Sequence, residues 1–140
     1  MTNLNDEVVA EFRANAGTVP HARDGNLAQL QLLLLHHIGR RSGNEHIAPV
    51  SYMDHDEDYL LLGSFAGADK EPQWVGNVEN AAQVTVEMGT RSRTMAPTVL
   101  RNGPKRDALY QATRDHWPFV AAYEGLTSRR FPVIQLTPID

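Results

Sequence analysis

The chain has 140 residues, enough for one domain with a buried core, and its 13 basic against 17 acidic residues give a net charge of −4. That balance argues against general nucleic-acid binding, which needs a basic surface to displace counterions, and the lack of cysteine excludes disulfides, thiolate metal sites and a cysteine nucleophile. The N-terminal MTNLNDEVVAEF has neither a basic n-region nor an apolar h-region, and no apolar run reaches the roughly 18 residues of a membrane span, so a soluble cytoplasmic protein is expected.

Asn5, Asp6 and Glu7 open an amphipathic helix with Val8, Val9 and Phe12 on one face, ending at Gly17. A polar crossover follows from Thr18 to Asn26. Strands are expected at residues 30–37, 47–53 and 59–64, divided by the turn Gly39-Arg40-Arg41-Ser42-Gly43 and by an acidic turn at residues 54–58. Pro72 opens a short helix that ends at Asn80. Residues 84–88 and 91–100 alternate as strands around the two-residue turn Gly89-Thr90, and Pro97 marks an edge or bulge. Residues 104–116 form a helix broken before Pro118, and residues 131–137 form the last strand. Six strands with inserted helices and hairpin-length turns predict a mainly β, α+β fold: an antiparallel barrel decorated by helices. The helix and crossover occupy residues 1–29 and the barrel residues 30–140, within one domain.

The turn at residues 39–43 carries the strongest functional signal. Its glycines allow positive φ, and a rigid hairpin holds the guanidinium groups of Arg40 and Arg41 where planar, charge-assisted hydrogen bonds suit a phosphate or carboxylate. His46 returns alongside on the next strand. An anion is expected to dock there; a solvated hairpin tip is the plain alternative. Six histidines raise the question of a metal. His36 and His37 fall on opposite faces of a strand and no H-x-x-x-H spacing occurs, so no metal site is expected. Nor is there a G-x-S-x-G elbow for a serine hydrolase.

Three motifs stand in order. Gly39-Arg40-Arg41-Ser42-Gly43 precedes His46 and Pro49; Ser64 and Gly67 lead to Pro72, Trp74 and Asn77; Thr127, Arg129 and Pro132 close the set. Over residues 30–136 these resemble the deazaflavin-dependent nitroreductase family. The resemblance implies a split β-barrel of the pyridoxamine-oxidase-like, FMN-binding type, with the 5-deazaflavin coenzyme F-420 as hydride carrier. The implied reaction is hydride transfer from the reduced cofactor to a quinone-like, nitroaromatic or other activated acceptor. A flavin or deazaflavin carrier without turnover, and an FMN-dependent split-barrel reductase, are the alternatives.

On that resemblance Arg40, Arg41 and His46 hold the phosphate end of the cofactor, and Ala48 and Pro49 are cofactor-binding residues as well. Ser64, Phe65, Ala66 and Gly67 offer backbone N–H groups, and Pro72, Gln73 and Trp74 begin a helix whose positive end faces the pyrimidine edge. Trp117, Val120 and Tyr123, with Phe119, form the acceptor pocket; Tyr123 is the candidate proton donor and Ser64 the second catalytic candidate. For Trp74 the plain alternative is core packing, and for Tyr123 an ordinary helix aromatic. Phe65 and Ala66 stand where the family commonly has lysine and glycine, and His46 where it has arginine, which implies a weaker or pH-dependent hold on the cofactor. The implied partner is a small-molecule acceptor, without nucleic acid or a membrane span; peripheral membrane contact and a homodimer both remain open.

Overall fold

The computed structural model describes residues 4–139; the first three residues of the N-terminal segment and Asp140 lie outside that range. In chain order the elements are α1 (Leu4–Ala14), β1 (Leu32–Ile38), β2 (Glu45–Ser51), β3 (Met53–His55), β4 (Asp58–Leu62), α2 (Gln73–Glu79), β5 (Val84–Met88), β6 (Arg91–Leu100), α3 (Pro104–His116), α4 (Phe119–Glu124) and β7 (Val133–Pro138). The strands form one antiparallel sheet in the order β2-β1-β5-β6-β7-β4-β3.

Seven strands stand where six were expected, because the run at 47–53 is divided. β2 pairs with β1 at one edge of the sheet and β3 pairs with β4 at the other. Between them Tyr52 leaves both ladders and donates its N–H to the Gln31 carbonyl at 3.0 Å. One stretch of chain therefore serves both edges, and the sheet must curl to let it do so.

The leucine run of β1 explains the layers. Alternation sends Leu33 and Leu35 into the barrel with Val86, Met95, Ile134 and Leu136, and sends Leu32 and Leu34 outward beneath Val8 and Phe12 of α1. Both faces are buried over Leu32–Leu35, so that part of the strand is an unbroken apolar run before His36 and His37. Each buried leucine contributes roughly 1.5–3 kcal/mol. On another flank Leu60, Leu62 and Val133 meet Leu109 of α3 and Val120 of α4, while α2 seats Trp74, Val75 and Val78 in the barrel. No helix among the described residues is long and apolar enough to cross a membrane.

Pro97 lies on β6, which is central in the sheet order, although proline removes a ladder donor. The β5 ladder ends opposite Met95, so at Pro97 β6 pairs with β7 alone and the expected edge exists locally. Two contacts then set α1 over the sheet. Glu11 Oε1 accepts the N–H groups of His21 and Ala22 at 2.9 and 2.8 Å, which fixes the crossover, and Arg13 makes a two-pronged pair with Glu87 of β5 at 3.0 and 2.7 Å.

Candidate functional site

The β1–β2 hairpin closes through Gly39 N–H to the Asn44 carbonyl and Gly43 N–H to the Gly39 carbonyl, both at 2.8 Å, with Gly43 at φ +75°. Arg40 turns onto α2. Its Nη1 donates to Asn77 Oδ1 at 2.8 Å and to the Gln73 carbonyl at 3.3 Å, and its backbone N–H donates to Asn77 Oδ1 at 3.1 Å. Gly76 makes the approach feasible, since a Cβ there would stand 2.8 Å from Arg40 Cζ. Asn77 Nδ2 in turn donates to His37 Nδ1 at 2.8 Å. The His37 ring stacks on His46, its partner in register, with centroids 5.3 Å apart and planes 27° from parallel. Burial, then the neighbouring His46 and His36, push the His37 pKa down to about 4.

After β4 the chain makes a single turn of unusual handedness. Phe65, Ala66 and Gly67 have φ of +45°, +54° and +79°. Left-handed backbone at a residue with a Cβ costs roughly 1–2 kcal/mol, so something must hold the turn. Arg129 does: it donates to the carbonyls of Ala68, Gly63 and Ser64 at 3.0, 2.9 and 2.8 Å while its guanidinium lies 4.9 Å from the centre of the Phe131 ring. Among the described residues the N–H groups of Phe65 and Ala66 donate to no acceptor. Successive amides in such a turn form a concavity that suits an anion or a carbonyl oxygen.

A cavity of about 1150 Å³ lies between the hairpin, one face of α1 and the start of α2, and it is lined by Arg40, Arg41, His46, Ala48, Phe65, Pro72, Gln73 and Trp74. A second, of about 360 Å³, is lined by Pro49, Ser64, Phe65, Ala66, Pro72, Trp74, Trp117, Phe119 and Tyr123. Phe65, Pro72 and Trp74 belong to both walls, so the two are chambers of one groove. Two expected residues stand outside it. Val120 is fully buried beneath the second chamber against Leu60 and Val133, and Gly67 is enclosed by Leu126 and the Tyr123 carbonyl, where it shapes the turn without lining either chamber. Trp74, 8% exposed, is mainly a core residue with one edge in the groove.

Each chamber has its own chemistry. Arg41 lines the first with no hydrogen-bond or ion-pair partner among the described residues, close to His46, while Asp6 and Glu45 make the charge of that chamber mixed. In the second, Trp117, Phe119 and Tyr123 form a run of ring contacts with centroids 5.9 and 5.2 Å apart, and the Tyr123 hydroxyl has no described partner. An elongated ligand with an anionic end and a flat aromatic end suits this arrangement, and a deazaflavin is such a ligand. The sequence reading missed His37 as a wall residue, along with the α1 contribution of Asp6, Val9, Ala10 and Arg13. Asn77 carried a signal as part of a motif, but its role as the link between Arg40 and His37 needed coordinates.

The sequence profile of the F420H(2)-dependent quinone reductases matches residues 5–138. A Mycobacterium tuberculosis protein whose name assigns it to the F420H(2)-dependent quinone reductases is 27% identical over 106 residues, which span 76% of this chain and 88% of that one. A solved F420-H2 dependent reductase (FDR-A) superposes with a TM-score of 0.65 at 24% identity, covering 76% of this chain and 93% of the other. A Listeria innocua structure named for pyridoxamine 5′-phosphate oxidase superposes with a TM-score of 0.53 at 13% identity, over 80% and 86% of the two chains. The two structural likenesses speak to the fold, a split barrel of the pyridoxamine-oxidase-like type. With the profile spanning nearly its whole length, the chain belongs to the F420H(2)-dependent quinone reductase family.

Proposed function

We propose that the groove holds F420H2, with the phosphate and acidic tail in the first chamber and the ring system at the junction made by Phe65, Pro72 and Trp74, and that a quinone-like acceptor occupies the second chamber. The observation that carries this reading is the junction itself, where a chamber bearing Arg41 and His46 meets one lined by Trp117, Phe119 and Tyr123. When bound, F420H2 supplies the hydride equivalent. The protein supplies position and environment. Arg41 and His46 hold the anionic end, and the amides of Phe65 and Ala66, kept in place by Arg129, bind a polar edge. Trp117 and Phe119 exclude water from the acceptor. Tyr123, whose hydroxyl has no described partner, donates the proton that the acceptor needs after reduction, with Ser64 in the same wall as an orienting hydroxyl.

Purified protein mixed with reduced F420 and menadione tests the reading. Catalytic return of the oxidised cofactor's absorbance is the expected result. A spectral shift that stops at one equivalent would make the protein a carrier, and FMN binding more tightly than F420 in competition would overturn the choice of cofactor.

A further inference from the structure

β1 sends its two histidines to opposite faces: His36 Nε2 lies 2.6 Å from Glu87 Oε2 on the outside, and His37, only 7% exposed, is a wall of the first chamber. The hydrogen bonds around Asn77 determine which nitrogen of His37 carries its proton. Two donors from Arg40 converge on Asn77 Oδ1, so the remaining amide atom is the NH2 group, and it faces His37 Nδ1 at 2.8 Å. An amide NH2 can only donate, so Nδ1 keeps its lone pair and the proton of the neutral ring sits on Nε2. Protonating Nδ1 would set donor against donor. The stacked His46 ring and the enclosure of His37 disfavour the charged form as well. His37 is therefore a neutral donor of fixed orientation. Its Nε2 has no acceptor among the described residues, and because His37 lines the first chamber that donor is left for whatever fills it.

We infer that His37 is a ligand-binding residue whose Nε2–H donates to a phosphoryl oxygen of the molecule held in the first chamber. The inference rests on the reading that the groove holds the deazaflavin, and it assigns one phosphate contact within it. Arg41 brings positive charge to the same chamber beside the His46 ring, while Asp6 and Glu45 oppose it. A neutral N–H adds directional binding to a phosphoryl oxygen without a further buried charge to stabilise.

The test compares two probes on two proteins: F420, and the deazaflavin riboside that lacks phosphate and tail, each titrated against wild type and His37→Phe at pH 7.5, with thermal melts run alongside. The expected result is a loss of F420 affinity of about tenfold in the variant, from one hydrogen bond to a charged group, with riboside affinity unchanged. Equal loss for both probes would mark His37 as a packing residue, and no loss for either would mark it as a bystander; each overturns the inference while wild-type F420 binding leaves the functional reading standing. Wild-type protein that fails to bind F420 overturns both. If the variant does not fold, histidine-selective 15N spectra of wild type decide. A protonated Nε2 and bare Nδ1 at His37, with the Nε2 resonance shifting on F420 but not on the riboside, are expected, and the opposite tautomer or an unresponsive Nε2 contradicts the assignment.

Discussion

Arg40 commits its guanidinium to Asn77 and Gln73, whereas Arg41 lines the groove with no described partner. Neighbours in sequence should thus behave differently when truncated. Arg41→Ala should raise the dissociation constant for F420 about tenfold and leave the melting temperature and maximal turnover nearly unchanged. Arg40→Ala removes the side-chain donor from Asn77 and frees the hairpin from α2, so it should cost about 1–2 kcal/mol of stability as well as affinity. Chemical denaturation and binding titration of the pair check this; equal effects on both properties in both variants would contradict the division. At Tyr123 the expected signature is different. Tyr123→Phe retains the ring contact with Phe119 and loses only the hydroxyl, so turnover should fall by about tenfold or more while F420 binding stays level. Unchanged turnover would leave Tyr123 as a wall and no more.

The turn at residues 64–68 shows how one element depends on another. Ala66 sits at φ +54° because Arg129 holds the carbonyls on either side of it. Glycine adopts that conformation without the Cβ penalty, so Ala66→Gly should stabilise the protein by about 1 kcal/mol, and a lower melting temperature would show that the left-handed backbone is not strained there. A comparable brace holds α2, whose flanks are tied by Arg101 to Glu71 at 2.7 and 3.0 Å and to Glu79 at 2.9 and 3.0 Å; these pairs hold both carboxyls below their usual pKa. Elements like these mark the limit of what the sequence made legible. The helix at residues 104–116 and the hairpin at Gly89 and Thr90 follow from local propensity and turn chemistry, so they were readable from single segments. The division at Tyr52 was not, because it depends on both edges of the sheet meeting, a long-range condition with no local mark. The same applies to the groove. Arg40, Arg41 and Tyr123 announced themselves by residue type and motif, but His37 looked like a buried strand residue until Asn77, forty positions away, was placed beside it.

Across the molecule, pH couples the groove to stability through His37. Its unfolded pKa is near 6.5 and its folded value about 4, so between those values the unfolded chain binds more protons and stability falls as the pH drops. The contribution is present in full above about pH 6.5, and at pH 5 about 2 kcal/mol of it should be gone. His46, stacked on the ring from β2, and His36, its neighbour on the opposite face of β1, act in the same direction, and Arg40 reaches it through Asn77. Unfolding free energies from urea titrations at pH 7 and pH 5 should differ by that amount in wild type and draw together in His37→Phe; a wild-type value that does not change would contradict the burial of a neutral imidazole.

One continuous groove, with Arg41 and His46 at one end and the Trp117–Tyr123 aromatics at the other, is proposed to hold the deazaflavin across the junction of Phe65, Pro72 and Trp74. The most direct measurement is a crystal structure of the protein with F420. Density for the phosphate is expected within hydrogen-bonding reach of Arg41 and His37, with the ring system against Phe65 and Trp74. Cofactor bound elsewhere on the barrel, with the hairpin cations facing solvent, would contradict it.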